Sequence, residues 1–267
     1  MLRILLAPAL IGAASLAGRR WGPAVSGWLV GLPLTSAPVT FLLALEHGPA
    51  FAALVALGTL AGTVSQILFA VAYAWLARRH GWPLAFVGGS LVFAVSTAAL
   101  AGLRAPLLVL ACAVVIVLVL ALRAMPAVEQ RVPVVEQRAP VAEQREAATA
   151  TPLPRWDLPV RMLVATLIVG VLVAVAPALG PRFTGMLSPF PVYAAILTVF
   201  AHRGQGAPAA IGVLRGLLAG LFGFVGFFVV VAGSIERVGI PVAFAVATLV
   251  ALTAQLVSLR GLGAGSS

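Results

Sequence analysis

Residues 22–48 read GPAVSGWLVGLPLTSAPVTFLLALEHG, a stretch apolar enough to cross a bilayer that carries Pro33, Thr35, Ser36 and Pro38 at its centre. Proline removes a backbone donor and its ring clashes with the preceding turn, so a helix running into this stretch is interrupted midway. In lipid the freed backbone groups need partners inside the protein. Residues 180–206 read GPRFTGMLSPFPVYAAILTVFAHRGQG. Aligned without a gap, Gly22, Pro23, Gly27, Leu29, Pro33, Thr40 and Gly48 fall on Gly180, Pro181, Gly185, Leu187, Pro191, Thr198 and Gly206. The chain thus holds one interrupted apolar segment twice, at an offset of 158 residues (22 to 180).

The surrounding composition names the solvent. The 267 residues are 62% hydrophobic and 9% charged, with a mean hydropathy of +1.13, and the charge sits in short islands between long apolar runs. That pattern defines an all-α integral membrane protein. The net charge of +10 comes from seventeen basic residues, all of them arginine and nearly all between apolar runs. Such placement sets topology, with membrane lipid rather than nucleic acid as the acidic partner. The single cysteine, Cys112, lies in an apolar run and excludes an intrachain disulfide or a thiolate cluster.

Nine transmembrane helices are expected, at 1–18, 25–45, 50–77, 83–103, 106–122, 160–178, 183–201, 207–232 and 241–259, each sized for a core of about 30 Å. The first has the apolar core of a signal peptide. Arg19 and Arg20 directly after it, and its place opposite 160–179 in the duplication, make it a retained span. The duplication continues through the later spans, with Gly58, Leu60, Ala61 and Gly62 on Gly216, Leu218, Ala219 and Gly220, and Gly81, Pro83, Ala85 and Phe86 on Gly239, Pro241, Ala243 and Phe244. Span five has no counterpart. Four spans, one extra and four more make each element of the second copy cross in the opposite direction, a 4+1+4 inverted-repeat arrangement. The organisation is therefore 1–103 as the first four-helix repeat, 104–122 as the unpaired fifth helix, 123–157 as a linker and 158–267 as the second, inverted repeat. The linker repeats VEQR-type units between Val128 and Arg145 with a proline in each, which reads as a disordered cytoplasmic tether or as a docking segment for a cytoplasmic protein partner.

Orientation follows from the arginines. Arg19, Arg20, Arg78, Arg79, the linker, Arg203 and Arg260 fall on one side, against Arg3, Arg104, Arg182 and Arg237 on the other. By the positive-inside rule this multi-pass protein of the inner or plasma membrane has its N-terminus outside and its C-terminus in the cytoplasm.

Two patches carry a resemblance. Residues 83–90, PLAFVGGS, and the G-x-L-x-x-x-P core at Gly27, Leu29 and Pro33, repeated at Gly185, Leu187 and Pro191 beside Phe190, resemble the small four-span inner-membrane proteins called GlpM. Each repeat is similar in length to one whole protein of that kind, which implies a GlpM-like unit duplicated as an inverted repeat. The resemblance covers neither span five nor the linker, and it carries no catalytic or binding residue across. In architecture alone the repeat is similar to four-span multidrug exporters, whose membrane-embedded glutamate has no counterpart here.

Enzyme chemistry lacks parts: no metal-binding, nucleophile-elbow or phosphate-loop motif and no paired intramembrane carboxylates occur, so no enzyme, metal or cofactor is expected. His47, His80 and His202 lie in separate loops and read as solvated side chains. The interrupted spans are the better signal. A half-helix restarting at Thr35 or Ser36 after Pro33, and another restarting after Ser188 and Pro191, would bring helix ends to mid-depth, where they suit a polar or anionic group. The alternative is a pair of simple proline kinks. Arg215 is the one charge well inside a span, either snorkelling or binding an anionic ligand. Thr59, Thr63, Ser65 and Gln66 on span three would line a polar path or, for the hydroxyls, bond their own backbone. The substrate-binding residues expected are Pro33, Thr35, Ser36, Ser188, Pro191 and Arg215, in a secondary transporter or flippase for an unknown small-molecule substrate, polar and either neutral or anionic. The alternative function is a non-transporting assembly or scaffold subunit that binds its partner through the linker.

Overall fold

The computed structural model describes residues 20–33, 36–127, 163 and 180–263. Among the described residues nine helices follow in order: α1 Pro23–Val30, α2 Ser36–His47, α3 Pro49–Ala77, α4 Trp82–Leu100, α5 Leu107–Ala124, α6 Gly180–Leu187, α7 Val192–Gln205, α8 Ala207–Val238 and α9 Ile240–Gly263. Among the described residues there is no strand. The expected span at 1–18, that at 160–178 apart from residue 163, and the linker repeats lie outside them.

Glycine and proline punctuate the helices. Gly22 and Gly48 precede α1 and α3 with φ of 94° and 86°, and their counterparts Gly180 and Gly206 stand at the starts of α6 and α8 with φ of 78° and 83°. Positive φ is cheap only without a Cβ, and proline in the first turn loses no helical hydrogen bond. Proline occupies that first turn in α1, α3, α4 and α8. The same dipeptide chemistry therefore starts equivalent elements.

Six stretches among the described residues are long and apolar enough to cross a membrane: Pro49–Ala77, Trp82–Leu100, Leu107–Ala124, Gly180–Gln205, Ala207–Val238 and Ile240–Ser258. This is a multi-pass α-helical membrane protein. These answer to six of the nine expected spans. Two expected spans are, residue 163 apart, outside the described residues, and the span expected at 25–45 is two short helices, α1 and α2, neither able to cross alone.

α3 and α8 form the centre, 72% and 61% buried over their apolar windows, while α4, α5 and α9 are 22% buried and turn most of their surface outward. α5 fixes the relative direction of the central pair. At its C-terminal end the Trp75 indole Nε1 of α3 donates to the Ala124 carbonyl at 3.0 Å, and Arg215 of α8 donates to the carbonyls of Met125 and Pro126. At its N-terminal end Leu107 packs against Gly233 of α8. α5 thus runs with α3 and against α8. The sequence-equivalent helices α3 and α8 are antiparallel.

Packing between the halves is reciprocal. A Cβ on Gly27 of α1 would fall on the Val213 carbonyl of α8, and one on Gly185 of α6 would fall on the Val55 carbonyl of α3. A Cβ on Gly216 would stand 2.8 Å from Trp28 N where one on Gly58 would stand 3.2 Å from Met186 N, and a Cβ on Gly220 would fall on the Trp28 carbonyl where one on Gly62 would fall on the Met186 carbonyl. All of these are equivalent positions. Each interrupted segment lies backbone to backbone on the long helix of the other half. In lipid, where apolar burial does not drive helices together, such close contact supplies the dispersion energy that does. The Phe69–Phe86 edge-to-face pair likewise recurs as Phe227–Phe244, with centroids 6.4 and 5.7 Å apart.

Candidate functional site

Both interruptions sit at the same depth along opposite helices. α1 ends against Gly220, and α6 ends against Gly62, each about 20 Å from the start of the long helix it crosses at 1.5 Å per residue. Because α3 and α8 are antiparallel, both points fall near the middle of the bundle. There they meet: the Ser36 hydroxyl at the start of α2 donates to the Ser188 carbonyl at the end of α6, at 3.4 Å. Ser36 is buried, as are Pro33 and Pro191. Thr35 lies outside the described residues.

The backbone at each break is only partly satisfied by its own helix. The Ala37 N–H donates to the Pro33 carbonyl and the Thr40 hydroxyl to the Ser36 carbonyl, which closes the first turn of α2. In the second half the Phe190 N–H turns to the Leu187 carbonyl at 2.9 Å, and Pro189 has no N–H to give. The Met186 carbonyl thereby loses its helical donor. Phe190 then anchors α7, set edge-on to Phe93 at 5.0 Å and to Phe69 at 6.3 Å.

Arg215 goes elsewhere. It is half-buried, and its Nη2 donates at 3.1 Å to both the Met125 and Pro126 carbonyls, so its charge caps the C-terminal end of α5. Its Nε is buried without a partner. The structure brings Ser36 and Ser188 together and directs Arg215 to a third element.

The polar residues of α3 divide into two kinds. Thr59 and Thr63 donate to the Val55 and Thr59 carbonyls of their own helix. Ser65 Oγ and Gln66 Oε1 have no partner, although both side chains are buried. They flank the line from Gly62 to Phe69, the line on which Met186 and Phe190 rest. Thr97 of α4, one turn beyond Phe93, is also buried with an unpartnered hydroxyl. A single sequence cannot tell which hydroxyls turn back on their own helix; only the register of α4 and α6 against α3 does.

His202 is not a solvated loop residue. Its Nδ1 stands 3.3 Å from the Tyr73 hydroxyl, and Tyr73 is fully buried. Beside it Arg203 stacks over Trp82, while Arg78 stacks over Trp75 and Arg20 over Trp21. All three pairs lie at the end of the bundle where α3 and α5 finish and α8 begins. That end exposes Arg20, Arg78, Arg79, Arg123 and Arg203 and, among the described residues, no acidic side chain. The opposite end mixes Glu46, Arg104, Arg182, Glu236 and Arg237.

No protein-family model, no curated protein and no solved structure matches this chain.

Proposed function

We propose that this protein is a secondary transporter or flippase for a small polar substrate held near the bilayer midplane, between the interrupted segments α1–α2 and α6–α7. The observation that carries this reading is the 3.4 Å hydrogen bond from Ser36 to the Ser188 carbonyl, which joins two helix breaks in mid-bundle. Interrupted helices cost backbone hydrogen bonds, and transporters use them because half-helix ends provide polar groups at depth. The reading includes nine spans in a 4+1+4 inverted repeat, a duplicated GlpM-like unit in the inner or plasma membrane. Antiparallel α3 and α8, with their exchanged glycine contacts, support that symmetry. Rocking one half against the other exposes the shared centre to each side in turn. The arginine-rich end faces the cytoplasm in this reading, and the N-terminus lies outside.

The test uses a Cys112→Ala background carrying Ser36→Cys and Ser188→Cys. A short bifunctional thiol reagent is expected to join the pair, because the Ser36 hydroxyl and the Ser188 carbonyl are in hydrogen-bond contact. Uptake and efflux of metabolites by a deletion strain are then compared with and without the protein, and before and after cross-linking. Metabolite flux that depends on the protein and stops on cross-linking is the expected result. Identical profiles in both strains, or flux indifferent to the cross-link, overturn the reading.

A further inference from the structure

The two breaks are built alike but filled differently. In the second half Gln255 of α9 reaches into the bundle, and its Nε2 donates at 2.9 Å to the carbonyl of Trp28, at the end of α1. Its amide oxygen, buried without a hydrogen-bond partner, lies against Gly223 of α8, where a Cβ would stand 2.7 Å away. Glycine at 223 is what admits the carboxamide. One buried uncharged group thus completes the backbone of the first break.

At the equivalent positions of the other half the chain has Thr97 for Gln255, Ser65 for Gly223 and Met186 for Trp28. Threonine is two atoms shorter than glutamine. Its hydroxyl makes no bond, and the carbonyl of Met186, the position equivalent to Trp28, has lost its helical donor to Pro189 and to the turned Phe190 N–H. Ser65 Oγ and Gln66 Oε1 complete the set, with relative exposures of 0%, 5% and 6% for Ser65, Gln66 and Thr97. A buried polar atom without a partner is costly, so a group of them marks where a partner belongs. Nothing charged is among them, and Arg215 is engaged at the end of α5.

We propose that Ser65, Gln66, Thr97 and the Met186 carbonyl bind the substrate through an uncharged amide or hydroxyl group, which takes the place that the Gln255 carboxamide fills in the other half. This rests on the transport reading and narrows it: the substrate is a neutral hydrogen-bonding solute, and an anion is rejected because no cation is there to offset its desolvation.

Acetamide and acetate test this, being nearly the same shape and differing in charge. Purified full-length protein in detergent is titrated with each and followed by its melting temperature. Acetamide raises the melting temperature and sodium acetate at equal ionic strength does not. Thr97→Gln supplies the missing amide, so the variant melts higher than the parent and no longer responds to acetamide. Thr97→Val keeps the shape and removes the hydroxyl, and weakens the apparent affinity for acetamide about threefold to tenfold, the range of one neutral hydrogen bond. The proposal is overturned if acetate stabilises as well as acetamide, if acetamide has no effect, or if Thr97→Val binds it unchanged. Failure of the transport reading is separate: acetamide binding that depends on Thr97, without any flux that the Ser36–Ser188 cross-link arrests, leaves a binding site in a protein that does not transport.

Discussion

Tyr73 and His202 are hydrogen-bonded across the contact between α3 and α7, Oη to Nδ1 at 3.3 Å. Their counterparts in the other half are Val231 and Ala44, which make no such bond. One end of the bundle is therefore fastened by a polar link that the equivalent positions at the other end do not make. Tyr73→Phe keeps the ring contacts with Phe69 and removes only the hydroxyl. It is expected to cost about 0.5–1.5 kcal/mol, visible as a lowered melting temperature. A cysteine placed at the neighbouring buried Ala201 should also react faster with a thiol reagent in the Tyr73→Phe background. Equal labelling rates would show that the link fastens nothing.

The reciprocal glycine contacts predict matched damage. Gly27→Ala and Gly185→Ala each drive a methyl into a carbonyl of the opposing long helix, Val213 in one case and Val55 in the other. Backbone cannot move aside as a side-chain tip can, so each change should destabilise by about 1–3 kcal/mol or more. Gly102→Ala, with open space around it, should be near neutral. Melting of the three variants in one detergent checks this. A large difference between Gly27→Ala and Gly185→Ala would mean that the two crossings bear unequal load.

Arg215→Leu separates anchoring from ligand binding. Losing its bonds to Met125 and Pro126 removes about 1.5–3 kcal/mol of charge-assisted bonding from the end of α5. Limited proteolysis should then cut more readily after Ala124, while acetamide still stabilises the protein. Loss of the acetamide response with unchanged proteolysis would return Arg215 to the central site.

Topology is read by labelling. Cysteines replacing Glu46 or Arg182 should react with an impermeant reagent added outside intact cells, and cysteines replacing Arg78 or Arg203 should react only after permeabilisation. The reverse pattern would turn the protein over in the membrane.

Much of this architecture is written locally. Apolar run length and Gly-Pro punctuation mark where α3, α4, α5, α8 and α9 lie, because both depend on neighbours in sequence. The offset of 158 residues also pairs Gly27 with Gly185 before any contact is known. The site is less legible. Arg215 bonds main-chain carbonyls ninety residues away, and carbonyls leave no mark in an amino-acid sequence. His202 beside Gly204 looks like a loop residue; only the approach of α3 gives it Tyr73. Ser65 and Thr97 differ from Thr59 and Thr63 only through what α6 and α4 place in front of them, a fact of tertiary register.

The exchanged crossings also bear on how the protein is made. When the ribosome has finished α1 to α4, the glycine face at Gly27 has no Val213 to lie on, and the face at Gly58 has no Gly185. Both surfaces wait in the membrane until a further stretch of chain has been inserted. The first half thus reaches its final packing only after its successor arrives, and a chain truncated after α5 would leave its most closely fitting surfaces open to lipid.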